Sequence, residues 1–242
     1  MTILAIDASG EQCAVALGEG ANAHDWVERS VLAGQRHSEL LLPMIASLLA
    51  EYGTTLKALT GIAFGAGPGS FTGLRIACGV AQGLAFGAEL PLVGVCTLEA
   101  MAQTARQQAG ASRGSGKRIV AALDARMREV YVAAYEQQGD NMNWCEILAP
   151  VVVAPDVAPA LAGNGWTGVG NGFVVYPALR ARYGDALEGV NGNISPSASA
   201  IGVLSAPRFA AGLGVAARDA APFYVRHKVA LTSVERTQAA QA

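Results

Sequence analysis

A strand that ends in an aspartate and turns straight back occurs twice in this chain, and it constrains the fold more than any other feature. The first copy runs through Ile3-Leu4-Ala5-Ile6 to Asp7, turns at Ser9-Gly10 and returns over Cys13 to Leu17. The second runs from Val120 through Leu123 to Asp124 and Ala125 and returns from Glu129 to Glu136. Apolar runs on either side of a short polar turn predict β-hairpins. Placed in register on the two aspartates, Ala5, Asp7, Ala8, Val15, Ala16 and Glu19 align with Ala122, Asp124, Ala125, Val132, Ala133 and Glu136. The expectation is an internal duplication and therefore two similar lobes. The competing reading is that two amphipathic hairpins look alike in any α/β protein.

Between the hairpins the pattern predicts a third strand (26–32), a helix (38–52), a buried strand (61–64), a helix (71–87), a strand (92–95) and a helix (98–108). Strands alternating with helices imply a mixed sheet covered by helices. The second half predicts a strand over 142–148, a loop over 163–172, a helix over 198–209 and a polar tail after Ser233. The expected class is α/β, two lobes each built on a mixed sheet flanked by helices. The lobes span 1–110 and 111–242, with the last helix packing back on the first lobe. The flexible polar stretch Arg113-Gly114-Ser115-Gly116-Lys117 is the expected connection.

Composition narrows the function classes. Charged residues are only 15% of the 242 and the apolar set is 52%, against about 25% charged in an ordinary soluble domain. Disorder is excluded, since it needs low hydrophobicity and high net charge. The chain must pack very compactly or hide part of its surface. No apolar run reaches the roughly 20 residues of a membrane span, the longest, from Ile76 to Ala88, being interrupted by Gln82. The start has no basic region of the kind that opens a signal peptide. A net charge of −2 gives no global basic field for nucleic acid. Cys13, Cys78, Cys96 and Cys145 lie far apart, which fits a reduced, cytoplasmic compartment.

The sharpest local string is Gly65-Ala66-Gly67-Pro68-Gly69-Ser70-Phe71-Thr72-Gly73-Leu74-Arg75, between a buried strand and a helix. Tight glycine turns leading into a helix start suit an anion, so Asp7, Gly67, Gly69, Ser70, Thr72 and Gly73 form the candidate nucleotide or anion set. No Gly-Lys-Ser/Thr follows as a Walker A loop requires. The other reading is a helix-start turn capped by Ser70 or Thr72.

Two helices carry unusual faces. Gly79, Gly83 and Gly87 are spaced four apart and share one face; each interior glycine costs about 1 kcal/mol relative to alanine. Close approach of another backbone would compensate, either the chain's own sheet or a partner's helix. The preceding helix holds Leu40, Leu41, Leu42, Met44, Ile45, Leu48 and Leu49, a wider stripe than one buried face needs. His37, Leu41, Met44, Ile45, Leu48, Leu74, Arg75, Gly79 and Gly83 are therefore the candidate partner-interface residues.

Other chemistries find less support. His24, His37 and His227 are not at the spacing of zinc-type sites, so no metal site is expected. A triad of Ser70, His37 and Asp7 lacks the nucleophile elbow. Asp7 and Asp124 suit either metal–nucleotide ligation or simple turn formation.

The strings Ile6-Asp7-Ala8-Ser9, His37-Ser38-Glu39-Leu40-Leu41-Leu42-Pro43, Gly67-Pro68-Gly69-Ser70-Phe71-Thr72-Gly73-Leu74-Arg75 and Asp124-Ala125-Arg126-Met127-Arg128-Glu129-Val130-Tyr131 closely resemble the TsaB/YeaZ family. Weaker likeness continues at Gly170-Asn171-Gly172 and Pro222-Phe223-Tyr224-Val225-Arg226. The resemblance implies an actin-like, ASKHA-type ATPase fold and a non-catalytic scaffold that pairs with TsaD through a helical bundle of the first lobe. TsaE is an implied further partner, a homodimer the implied state in isolation, and tRNA is reached indirectly through the complex. That complex transfers threonylcarbamoyl to N6 of adenosine 37 in tRNAs reading ANN codons. No cofactor is expected to bind tightly to this chain, with ATP or ADP engaged at the level of the complex. The catalytic paralogue's His-x-Glu-x-His motif is matched here by His37-Ser38-Glu39-Leu40-Leu41, without the second histidine. The alternatives are an actin-fold ATPase or phosphotransferase and, more weakly, an M22-like protease.

Overall fold

The computed structural model describes residues 1–109, 117–137 and 144–226. The predicted connection therefore lies outside the described residues except for Lys117, as do Met142, Asn143 and the tail after Ser233. The first half forms β1 (Thr2–Asp7), β2 (Gln12–Glu19), β3 (Trp26–Leu32), α1 (His37–Glu51), β4 (Gly61–Gly67), α2 (Phe71–Ala88), β5 (Leu92–Cys96) and α3 (Thr97–Ala109). The second half forms β6 (Arg118–Asp124), β7 (Val130–Gln137), β8 (Trp144–Val153), β9 (Trp166–Val169), α4 (Gly172–Val175), α5 (Pro177–Tyr183), β10 (Leu187–Asn191) and α6 (Ala198–Ala210).

Two five-stranded mixed sheets result, in the orders β3-β2-β1-β4-β5 and β10-β9-β6-β7-β8. Read from the edge strand of each hairpin the two orders are the same. Each sheet has an antiparallel hairpin (β1 with β2, β6 with β7) and a parallel pairing of the hairpin's first strand with the next crossover strand. The duplication is thus a duplication of topology, with Asp7 and Asp124 at the same strand ends. One correction concerns residues 163–172. A four-residue strand, β9, and the start of α4 lie there; glycines crowd around so short a strand and hide its pattern.

Strand alternation decides the layers. Leu4 and Ile6 of β1 face α1 and α2, whose Leu41, Ile45, Leu48, Ala77, Ala81 and Ala85 complete that core. Ile3 and Ala5 face the other way, onto Ile201, Val203 and Phe209 of α6. The last α-helix among the described residues therefore covers the first sheet. In return α3 covers the second sheet, with Leu98, Met101 and Ala102 packed on Ile119, Ala121 and Tyr135. Beyond that sheet, α4 and α5 contribute Phe173, Leu179 and Tyr183. Each half thus lends a helix to the other. Among the described residues no helix is long and apolar enough to cross a membrane.

Candidate functional site

The Gly-rich string folds as the end of β4 and the first turn of α2, and Ser70 caps the helix by accepting from the Gly73 N–H at 3.3 Å. Its glycines are required by close approach to the chain itself. A Cβ at Gly69 would stand 2.5 Å from the Ser9 carbonyl, one at Gly67 2.6 Å from the Phe223 carbonyl, and one at Gly73 would collide with the carbonyl of Ala8. The Ser70 N–H donates to the Ser9 carbonyl at 2.8 Å. Of the candidate anion set Asp7, Gly67, Gly69, Ser70, Thr72 and Gly73, the structure places Gly69, Ser70 and Gly73 against the Ala8-Ser9 turn and Gly67 against Phe223. Thr72 is exposed and lies away from that contact.

Asp7 sits beneath the loop, 2% exposed, and accepts from the Ser9 N–H at 3.2 Å and the Ser9 hydroxyl at 3.1 Å. No cation faces it among the described residues. Burial pushes its carboxyl up from 3.8 to about 7, opposed by the two Ser9 bonds. Its counterpart Asp124 accepts from Tyr176 at 2.7 Å and from the Arg126 N–H at 2.8 Å, and pairs with the Arg126 guanidinium at 3.1 Å. Asp7 is thus spent within its own turn, whereas Asp124 also ties its turn to Tyr176.

The paper triad does not assemble. Ser70 caps α2, Asp7 holds Ser9, and the His37 Nε2 lies 3.1 Å from the Gly10 carbonyl, tying the start of α1 to the β1–β2 turn. Cys13 is no better a nucleophile, because burial, with a smaller contribution from Asp7, pushes its thiol up to about 11.

The predicted partner residues divide between two faces. His37, Leu41, Ile45, Leu48 and Leu74 are buried within the chain; the leucines and Ile45 point inward because they recur at the helical spacing that meets the sheet. Met44 is half-buried, while Arg75, Gly79 and Gly83 are exposed. The glycine stripe does not meet the chain's own sheet. Among the described residues, a Cβ at Gly79, Gly83 or Gly87 would find nothing within 4 Å. On the same outer side Phe86 is 81% exposed, and on α1 Leu42 is 49% exposed. Sequence reasoning missed these two, for which the signal was present: both are large apolar residues off the buried stripe of their helices.

A surface hollow of about 230 Å³ adjoins the stripe, bounded by Arg75, Cys78, Gly79 and Gln82 of α2 and by Pro222 and Tyr224. The guanidinium of Arg75 lies 3.7 Å from the Phe71 ring centroid and donates to the Tyr224 hydroxyl at 3.1 Å. The outer face of α2 is therefore smooth at its glycines and ordered at its polar end. Such a face can receive a helix at short distance, since small residues let two backbones approach closely.

Relatives support a single lineage. The chain is 40% identical over 235 residues to the tRNA threonylcarbamoyladenosine biosynthesis protein TsaB of Escherichia coli strain K12, covering 95% of this chain and 96% of that one. The chain belongs to the TsaB/YeaZ family. The Haemophilus influenzae TsaB is 39% identical over 186 residues, covering 73% and 74% of the two chains. YeaZ from Pseudomonas aeruginosa superposes with a TM-score of 0.80 at 36% identity, covering 92% of this chain and 99% of that one. Residues 31–154 also match the family described as TsaD, tRNA N6-adenosine threonylcarbamoyltransferase. The TsaB/YeaZ membership and the α/β class with two mixed sheets flanked by helices, both expected from the sequence, are thus the observed ones.

Proposed function

We propose that this chain is a non-catalytic subunit of the machinery that makes threonylcarbamoyladenosine in tRNA. It holds a TsaD-type catalytic subunit against the outer face of α1 and α2, and the assembled complex transfers threonylcarbamoyl to N6 of adenosine 37 in tRNAs reading ANN codons. TsaE joins as a further partner, tRNA is engaged through the complex, and ATP or ADP is handled at that level. The reading places the protein in the cytoplasm, and in isolation two copies pair through the same face.

The observation that carries the reading is the open glycine stripe of α2. Three interior glycines each cost the helix about 1 kcal/mol relative to alanine, and no atom of the described chain within 4 Å makes use of them. A partner helix does. The family names borne by the relatives supply the chemistry, and the self-filled Gly-rich loop supports a non-catalytic role. The test is depletion of the protein followed by mass spectrometry of tRNA nucleosides. Threonylcarbamoyladenosine should fall and return when the wild-type chain is restored. Its persistence at the normal level would remove the reading.

A further inference from the structure

In open sheets with parallel strands, ligands bind in the crevice outside the strands' carboxyl ends. The parallel strands β1, β4 and β5 end at Asp7, Gly67 and Cys96, and the segment that follows α6 runs to this edge. Val215 first pairs with Leu92 of β5 through reciprocal backbone bonds of 2.9 and 2.8 Å. The Gln82 amide of α2 then donates to the carbonyls of Ala217 and Ala220, both at 3.0 Å. At the crevice the Phe223 N–H donates to the Ala66 carbonyl at 2.7 Å. Gly67, at φ 122°, lets the Phe223 carbonyl come close. The Tyr224 ring lies 5.8 Å from that of Phe71.

The same segment then reaches the second lobe. Arg226 pairs with Glu129 and lies 3.5 Å from the Met127 sulfur. Its side chain is 13% exposed, against 86% for Arg126 nearby, so Arg226 is docked. The turn it meets is strained: Arg126, Met127 and Arg128 have φ of 63°, 54° and 61°. A left-handed conformation is strained for an L-residue, so three in succession must be held by their surroundings.

We infer that residues 215–226 form a latch that closes the crevice between the lobes from within, mechanically coupling the Gly-rich loop to the β6–β7 turn through Phe223 and Arg226. The chain occupies this edge itself. The inference does not depend on the proposed function, because every contact is internal.

The coupling makes a directional statement. Among the described residues the ion pair of Glu129 with the latch is made to Arg226, yet its loss should loosen Phe223. Backbone amide exchange measured by NMR on the full chain tests this. In Arg226→Ala and in Glu129→Ala the Phe223 amide should exchange at least tenfold faster, together with the Glu129 amide, which donates to the Arg126 carbonyl. The double swap Arg226→Glu with Glu129→Arg should move both amides back toward their native rates. Arg36→Ala, which breaks an exposed pair with Glu39, should leave them unchanged. A Phe223 amide exchanging at the native rate in both single variants would overturn the latch.

Discussion

Two groups of glycines sit within a few turns of each other, and they are glycines for opposite reasons. Gly67, Gly69 and Gly73 lie where the chain presses on itself, each facing a carbonyl of a distant segment. Gly79, Gly83 and Gly87, further along the same helix, face nothing in the described chain. The first group closes a site, and the second opens one. A Gly-rich loop before a helix suggests an anion seat, but here the turn of the first hairpin already fills it. The outer stripe, which costs the isolated helix stability, is the surface on which the proposed partner would dock.

The largest expected effect falls on the closed group. Gly73→Ala should destabilise the fold by about 4 kcal/mol or prevent folding, since a backbone carbonyl cannot swing aside as a side chain can. Urea denaturation measures it, and a loss below about 1 kcal/mol would mean that the contact with Ala8 is loose.

The carboxylate beneath the loop gives an effect that depends on pH. With its folded pKa raised to about 7 from 3.8, Asp7 is protonated in the folded chain and ionised in the unfolded one between those values. The unfolded state then binds fewer protons, so this group makes stability fall as pH rises through that window, by up to about 1.4 kcal/mol per unit. Asp7→Asn should flatten the decline and leave the variant more stable relative to wild type at pH 8 than at pH 5. Thermal melts across that range that run parallel for the two proteins would contradict the burial of a charge there.

On the open stripe the expected change is small and of opposite sign. Gly79→Ala should stabilise the isolated chain by about 1 kcal/mol, because an exposed helix gains the alanine propensity and meets no clash. A melting temperature that falls would show that the stripe is already packed.

Much of the fold was legible in the sequence because it rests on local pattern. The paired hairpins, the three helices of the first half and α6 follow from periodicity, and the matched aspartates anticipated the repeated sheet order. The site was legible only in part. A helical wheel gives the buried set Leu41, Ile45 and Leu48, whereas the total width of the α1 stripe does not tell the inward face from the outward one. What the glycines of the loop contact could not be read, since Ala8 and Phe223 are brought there by the sheet and by the segment after α6. The latch residues Tyr224 and Arg226 left only the trace of a short aromatic and basic string near the end of the described chain.

The central claim is that the outer face of α2 is where the catalytic subunit docks. Co-expression of a TsaD-type subunit with Gly83→Leu, and with Gly189→Leu as a control at another glycine that has no atom within 4 Å, measures it directly by copurification. The account predicts that Gly83→Leu folds with native stability but loses the partner by at least tenfold, while Gly189→Leu retains it. Full retention of the partner by Gly83→Leu would contradict the account.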